Sequence, residues 1–405
     1  MNDTYSALSG AGIYAGMPDP TPPPDVNQLD SVTVLSTGVS PPHPEANQTL
    51  VFSLHASGGG EFATSPGRLY EAAVSGQLAL PSYNTWRFST VRGANALGNR
   101  VLLLNPSDFY GRYPSNVIRE AYHMGFVGVS GAPELTLVNE RKYDALLLWA
   151  EANLPLHPTK RCVTGGSMGA WGTLSFGIRR ASKFAALYPD RPRWRYNNNF
   201  AGQTVTIPHF VSGGTSFTAA TSPMLSADDG GGSAVAHMDI IAYASNAANK
   251  IPWVGWCIGV NDGFTNWLDH VAAVNALRAA KRGFAFAWNG GNHSTGSIMN
   301  QITNSYPYGT FEIGKGYPLF TNHSGDSDIN VTPTLGDLTL RGINLGLSFR
   351  NVVETPTTWT CEVTSILGAR TVDVEPISDI FTADVSPQTA TIPAANSWVT
   401  VTFNA

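Results

Sequence analysis

A chain of 405 residues is too long for one ordinary compact core, so a large domain with a smaller one, or two or three units, is expected. Hydrophobic residues (42%) supply a sizeable core, but charged residues make up only 13%, about half the usual ~25%, so the polar surface must rest on Thr, Ser, Asn and Gly. The net charge of −5 leaves no basic footprint for nucleic acid, and no run approaches the ~18 consecutive apolar residues that would cross a bilayer.

The chain opens on a tail. "MPDPTPPPD", Met17 to Asp25, is an extended proline-rich spacer, so 1–25 reads as a flexible N-terminal segment. It has neither the basic start nor the apolar run of a signal peptide. The low charge points to a secreted or periplasmic enzyme whose leader is absent from this sequence, with a cytoplasmic one as the alternative. "SVTVLSTG" and "QTLVFSLHASGGG" then read as strands, the second running into three glycines. "NRVLLLNP" and "GFVGVSGA" are continuous apolar runs of the kind found in strands covered on both faces.

From Val138 to Asn153 the period becomes helical, with Tyr143, Leu146, Leu147 and Ala150 on one stripe. "KRCVTGG" is a strand, Met168 to Arg180 a helix, and "FAALYP" and "IPWVGWCIGV" further strands. Trp267 to Lys281 is a helix closed by Gly283, followed by the strand "GFAFAWNGG". Strands alternating with helices predict an α/β fold with a doubly wound sheet over 26–325. Residues 190–235, rich in Asn, Gly, Thr and aromatics, interrupt the alternation and read as a lid-like insertion over the strand ends. Past Asp326 the helix signal stops. "TTWTCEVTSI", "RTVDVEP" and "SWVTVTFNA" alternate with period two between turn residues, which predicts a small all-β sandwich over 326–405. Cys162, Cys257 and Cys361 are odd in number and lack metal-ligand spacing, so they read as buried thiols.

The chemistry centres on Gly165-Gly166-Ser167-Met168-Gly169, a G-x-S-x-G between a strand and a helix. A nucleophile elbow needs that order, because the serine sits on a strained turn where neighbouring side chains would collide with strand or helix. The Met168 N–H, at the helix start, is placed to meet a developing oxyanion. The acid and the histidine should follow in that order. Asp262, in "WVGWCIGVNDGFTNW", and His293, in "FAFAWNGGNHSTG", each fall in a loop directly after a buried strand. Asp269 and His270 fall within the next helix and read as a solvated face. His123, His157 and His323 are assigned to structure. Asp228, Asp229, Asp239, His209 and His237 precede the acid-bearing strand and are disfavoured by chain order. A second oxyanion donor is expected from "LHASGGG", through Ser57 or Ala56, with Gly58 letting the backbone approach the substrate. His55 reads as a bracing residue. Trp171, Trp194, Tyr196 and Phe200 are candidates to contact the acyl group, with core packing the alternative for Trp171. The sequon-like "NHS" at Asn292 coincides with the proposed catalytic loop and is given no weight.

On "LHASGGG", "TGGSMGAWG", "GVNDGFTNW" and "WNGGNHS", the first 300 or so residues resemble the α/β-hydrolase superfamily. They look most like secreted bacterial esterases and polyhydroxybutyrate-depolymerase-like or prolyl-oligopeptidase-like hydrolases. The resemblance implies triad roles for Ser167, Asp262 and His293 and oxyanion roles for Met168 and the loop near Ser57. "LHAS" departs from the His-Gly more often seen in such enzymes. The expectation is a serine esterase needing no metal or organic cofactor, acting on a small or polymeric ester. A peptidase of prolyl-oligopeptidase type and a non-catalytic binding protein on a hydrolase scaffold are the alternatives. The sandwich either binds a polymer or packs on the catalytic domain.

Overall fold

Alternating apolar residues dictate how the central sheet is sandwiched. The structure, a computed structural model, describes residues 3–5, 31–36, 48–54, 85–91, 101–105, 109–110, 119–120, 126–129, 135–153, 156–195, 210–212 and 237–405. Ser57, Gly58, Ala56, His55, Tyr196, Phe200 and most of the expected insertion lie outside the described residues, as do His123, His209, Asp228 and Asp229.

In chain order, β1 (Asp3–Tyr5), β2 (Ser31–Ser36), β3 (Gln48–Leu54), β4 (Thr85–Val91) and β5 (Val101–Asn105) belong to the main sheet. Next come a ribbon, β6 (Phe109–Tyr110) and β7 (Arg119–Glu120), and a pair, β8 (Phe126–Val129) and β9 (Leu135–Leu137). Helix α1 (Val138–Asn153), β10 (Leu156–Gly166), α2 (Met168–Gly177) and β11 (Ala186–Asp190) follow. Strand β12 (Phe210–Ser212) then precedes α3 (Ile240–Ser245), β13 (Trp253–Gly259), α4 (Trp267–Ala279), β14 (Phe284–Asn289) and α5 (Asn300–Thr303). The last strands are β15 (Tyr317–Thr321), β16 (Arg341–Ile343), β17 (Leu347–Glu354), β18 (Thr358–Ser365), β19 (Arg370–Ile377), β20 (Gln388–Ile392) and β21 (Val399–Asn404).

The main sheet has ten strands in the order β1-β2-β4-β5-β3-β10-β11-β13-β14-β16. From β5 through β14 every pairing is parallel, while β4 and β16 run antiparallel to their inner neighbours. Two expectations change. Asp3–Tyr5 pairs with β2, so part of the expected free tail is an edge strand. "GFVGVSGA" does form a strand, β8, but in a side sheet with β9 and β12. A continuous apolar run reports burial on both faces and cannot say which sheet supplies it.

Along the parallel strands, side chains divide by alternation. Leu50, Phe52, Val163, Leu187, Val254, Trp256, Ile258, Phe284, Phe286 and Trp288 pack beneath α1, α3 and α4. Their neighbours Val51, Cys162, Ala186, Tyr188, Cys257, Ala285 and Ala287 join a second core on the other face. That second core continues without a break through Met299, Ile302, Tyr306 and Phe311 into Trp359, Cys361, Val363, Val374, Val401 and Phe403 of the C-terminal strands. Two three-stranded antiparallel sheets, β15-β19-β20 and β17-β18-β21, face each other across it. The observed strand β18 buries Trp359, Cys361 and Val363 and leaves Thr360 and Glu362 half-buried, as the sequence alternation requires.

The two parts interleave. Strand β15 precedes Asp326 but pairs with β19 of the sandwich, whereas β16 follows Asp326 and extends the main sheet. Buried Asn344 locks this crossing. Its Nδ2 donates to the carbonyls of Phe284 (3.0 Å) and Phe320 (3.2 Å), and its own carbonyl accepts from the Tyr306 hydroxyl (2.9 Å). All three cysteines are free and buried.

Candidate active site

Register brings the functional loops to one edge. At their C-terminal ends Gly165 lies beside Leu54, Gly166 beside Asp190, Asp190 beside Cys257, and Gly259 beside Asn289. Whatever follows β10, β11, β13 and β14 therefore emerges side by side.

After β10 the chain turns sharply into α2. Ser167, between them, has φ 53° and ψ −117°, a left-handed region that costs a non-glycine residue about 1–3 kcal/mol. The Ser167 N–H donates to the Asp190 carbonyl (2.9 Å), which helps hold the turn. The motif's first glycine is a steric requirement. A Cβ on Gly165 would sit 2.4 Å from the Gly169 carbonyl oxygen and 2.8 Å from that of Leu54, both backbone atoms that cannot yield. The helix ends at Gly177 rather than Arg180, and every residue from Met168 to Gly177 is buried.

The acid loop and the histidine loop are built against each other. The Val260 N–H donates to Asn289 O (2.9 Å) and the Asn261 N–H to Gly291 O (3.0 Å). A Cβ on Gly259 would lie 2.4 Å from Gly291 O, so the two loops meet at van der Waals distance only because that residue is glycine. Asn292 Oδ1 accepts from the N–H groups of Ser294 and Thr295 (3.0 Å each), forming a tight turn around His293. The Asn292 side chain is thus part of the loop's own hydrogen bonding.

In that setting Ser167 Oγ lies 2.8 Å from His293 Nε2, and His293 Nδ1 lies 2.7 Å from Asp262 Oδ2. Asp262 is buried, and its two oxygens are divided. Oδ1 accepts from the Phe264 N–H (2.8 Å), leaving Oδ2 aimed at the imidazole. With the carboxylate on Nδ1, that nitrogen carries the proton and Nε2 is left as the acceptor for the serine hydroxyl. Met168 provides the first peptide N–H of α2 beside the serine. This arrangement can take a proton from Ser167, stabilise the imidazolium and return the proton to a leaving group.

The strand–elbow–helix order at Ser167, with Asp262 after β13 and His293 after β14, completes the pattern. The fold is an α/β-hydrolase fold.

No family model matches the chain, and no curated protein does. Among solved structures it is similar to a fluorophosphonate-binding serine hydrolase of Staphylococcus aureus (13% identity, 62% of this chain and 78% of that one, TM-score 0.36). It is also similar to a ferulic acid esterase (13% identity, 62% and 80%, TM-score 0.35) and an acylaminoacyl peptidase (10% identity, 64% and 35%, TM-score 0.38). At these scores the likenesses carry no substrate or activity over to this chain.

Of the expected contact residues, Trp171 is buried with the Arg193 guanidinium 4.4 Å over its ring. Trp194 is a correction. It is 1% exposed and packs edge-on against Trp256 (5.1 Å) in the helix-side core, so its ring offers no face to a substrate. Asp269 and His270 also depart from the solvated face expected of them. Asp269 is buried 3.6 Å from Arg195, and His270 lies parallel to Phe286 (7°, centroids 6.1 Å). Burial pushes the His270 pKa down to about 3, so the ring is neutral in the fold. Asp239 caps α3 through the Ala242 N–H, and His237 is buried 3.3 Å from Glu140.

Three residues near the site carried no sequence signal. Arg191 follows β11 at φ 63°. Its N–H donates to Cys257 O (2.9 Å) and its guanidinium to Thr295 O, so it ties the strand beside the elbow to the histidine loop. Arg193 and Phe264 meet where the Arg193 Nε donates to Phe264 O (2.6 Å). The positive φ of Arg191 is invisible in sequence because arginine is not a residue that advertises it. Among the described residues no group of three His, Cys, Asp or Glu converges to hold a metal ion, and no helix is long and apolar enough to cross a membrane.

Proposed function

We propose that the chain is a serine hydrolase that cleaves carboxylic esters through an acyl-enzyme. One observation carries this reading. A serine strained into the elbow conformation stands 2.8 Å from an imidazole whose other nitrogen is 2.7 Å from a buried carboxylate. A structural Ser–His–Asp contact would have no need of positive φ at the serine, and strain of this kind collects at working sites.

In this mechanism His293 withdraws the Ser167 proton as Oγ attacks the ester carbonyl. The Met168 N–H and a donor from the loop around Ser57 stabilise the tetrahedral oxyanion. Collapse breaks the acyl carbon–alcohol oxygen bond, and the imidazolium delivers its proton to the departing oxygen. Water, activated by the same histidine, then releases the acid. Asp262 holds the ring in place through His293 Nδ1 and stabilises the imidazolium that forms.

The test is hydrolysis of p-nitrophenyl esters from acetate to laurate, beside a chromogenic dipeptide, by wild type and Ser167→Ala. Ester turnover that the alanine variant lacks supports the reading. Turnover of the dipeptide alone replaces it with a peptidase, and activity that survives Ser167→Ala removes the nucleophile from the account.

A further inference from the structure

This inference rests on the esterase reading and concerns the alcohol side of the substrate. Phe264 stands two residues beyond the acid. Its ring centroid is 4.6 Å from that of His293, tilted by 55°, and the residue is nonetheless 55% exposed. A single exposed aromatic is ordinary on a protein surface. What sets this one apart is how it is held. Its N–H is bound by the catalytic-acid candidate (2.8 Å) and its carbonyl by Arg193 Nε (2.6 Å). Arg193 in turn lies over Trp171, one turn along the helix that begins beside the nucleophile. The Phe264 backbone is thus held at both its N–H and its carbonyl, while the residue stays more than half exposed.

The chemistry supplies the direction. When the bond between acyl carbon and alcohol oxygen breaks, the proton on His293 Nε2 must pass to that oxygen, so the oxygen lies within hydrogen-bond reach of Nε2. The group attached to it extends past the imidazole, and the ring of Phe264 stands 4.6 Å from that imidazole. We propose that Phe264 is the platform on which the alcohol portion of the substrate rests, and that the favoured esters carry an apolar, ring-bearing alcohol. A ring-to-ring contact of this kind raises specificity for such an alcohol by about 3- to 10-fold.

Benzyl acetate and methyl acetate share an acyl group and differ in the alcohol, while methyl phenylacetate moves the ring to the acyl side. kcat/KM is measured for all three with wild type, Phe264→Ala and Phe264→Leu, and labelling by a fluorophosphonate probe reports whether each variant is folded with a live serine. The expected result is a 3- to 10-fold fall in the benzyl-to-methyl ratio for Phe264→Ala. A smaller fall is expected for Phe264→Leu, with the phenylacetate-to-acetate ratio unmoved. An equal fall on every ester, with a displaced pH profile, would make Phe264 a support for His293 and overturn the proposal. An unchanged ratio would overturn it too. Wild type that neither takes the label nor turns over any ester would instead sink the parent esterase reading, which the labelling arm separates from a failure at Phe264 alone.

Discussion

Acid should weaken this protein through one buried ring. His270 lies on α4 between Trp267 and Phe286, fully buried, and among the described residues its Nδ1 has no hydrogen-bond partner. Burial lowers its pKa from 6.5 to about 3, against a smaller opposing pull from Asp262. The unfolded chain binds the proton first, so stability is complete above pH 6.5 and falls as pH drops towards 3. Between pH 8 and pH 5 the linkage amounts to about 2 kcal/mol. His270→Phe keeps a flat ring against Phe286 and removes the titration. Urea unfolding at several pH values should show wild type losing about 2 kcal/mol more than the variant between pH 8 and pH 5. Equal losses would mean that His270 is hydrated or partnered in solution, and the reasoning from burial would fail.

Other consequences are more local. Asp262→Asn should reverse the imidazole tautomer and cut kcat by roughly 10³–10⁴-fold with KM little changed, checked by steady-state ester kinetics. Gly165→Ala should cost about 2–3 kcal/mol in a denaturant titration, because its Cβ meets only backbone; full stability would show that the elbow is looser than described. Arg191→Ala releases the carbonyl of Thr295 and should lower kcat by about 10- to 100-fold through displacement of His293. Unchanged kcat would reduce Arg191 to a surface tether.

What could be read from sequence was whatever depends on local pattern. The stripe of Tyr143, Leu146, Leu147 and Ala150 gave α1 its observed limits, because period and burial coincide there. The motif around Ser167 and the loops after two buried strands pointed to three residues of which His293 lies within hydrogen-bond distance of both Ser167 and Asp262. The failures have physical causes. Trp194 sits in a polar, aromatic-rich stretch that reads as surface, yet tertiary packing on Trp256 claims it. His270 and Asp269 lie on a helix with weak amphipathic contrast, so sequence gave no sign of which side faces in. The crossing of β15 and β16 between the two parts depends on long-range pairing and on the buried amide of Asn344, neither of which has a local signature.

The central claim is that Ser167 is the nucleophile, and covalent trapping tests it most directly. Native protein is treated with a fluorophosphonate, digested, and the modified peptide identified by mass spectrometry. The account predicts one adduct per chain, on the peptide containing Ser167, formed far more slowly when His293 is replaced by alanine. An adduct on another residue, or none on folded protein that hydrolyses esters, would contradict it.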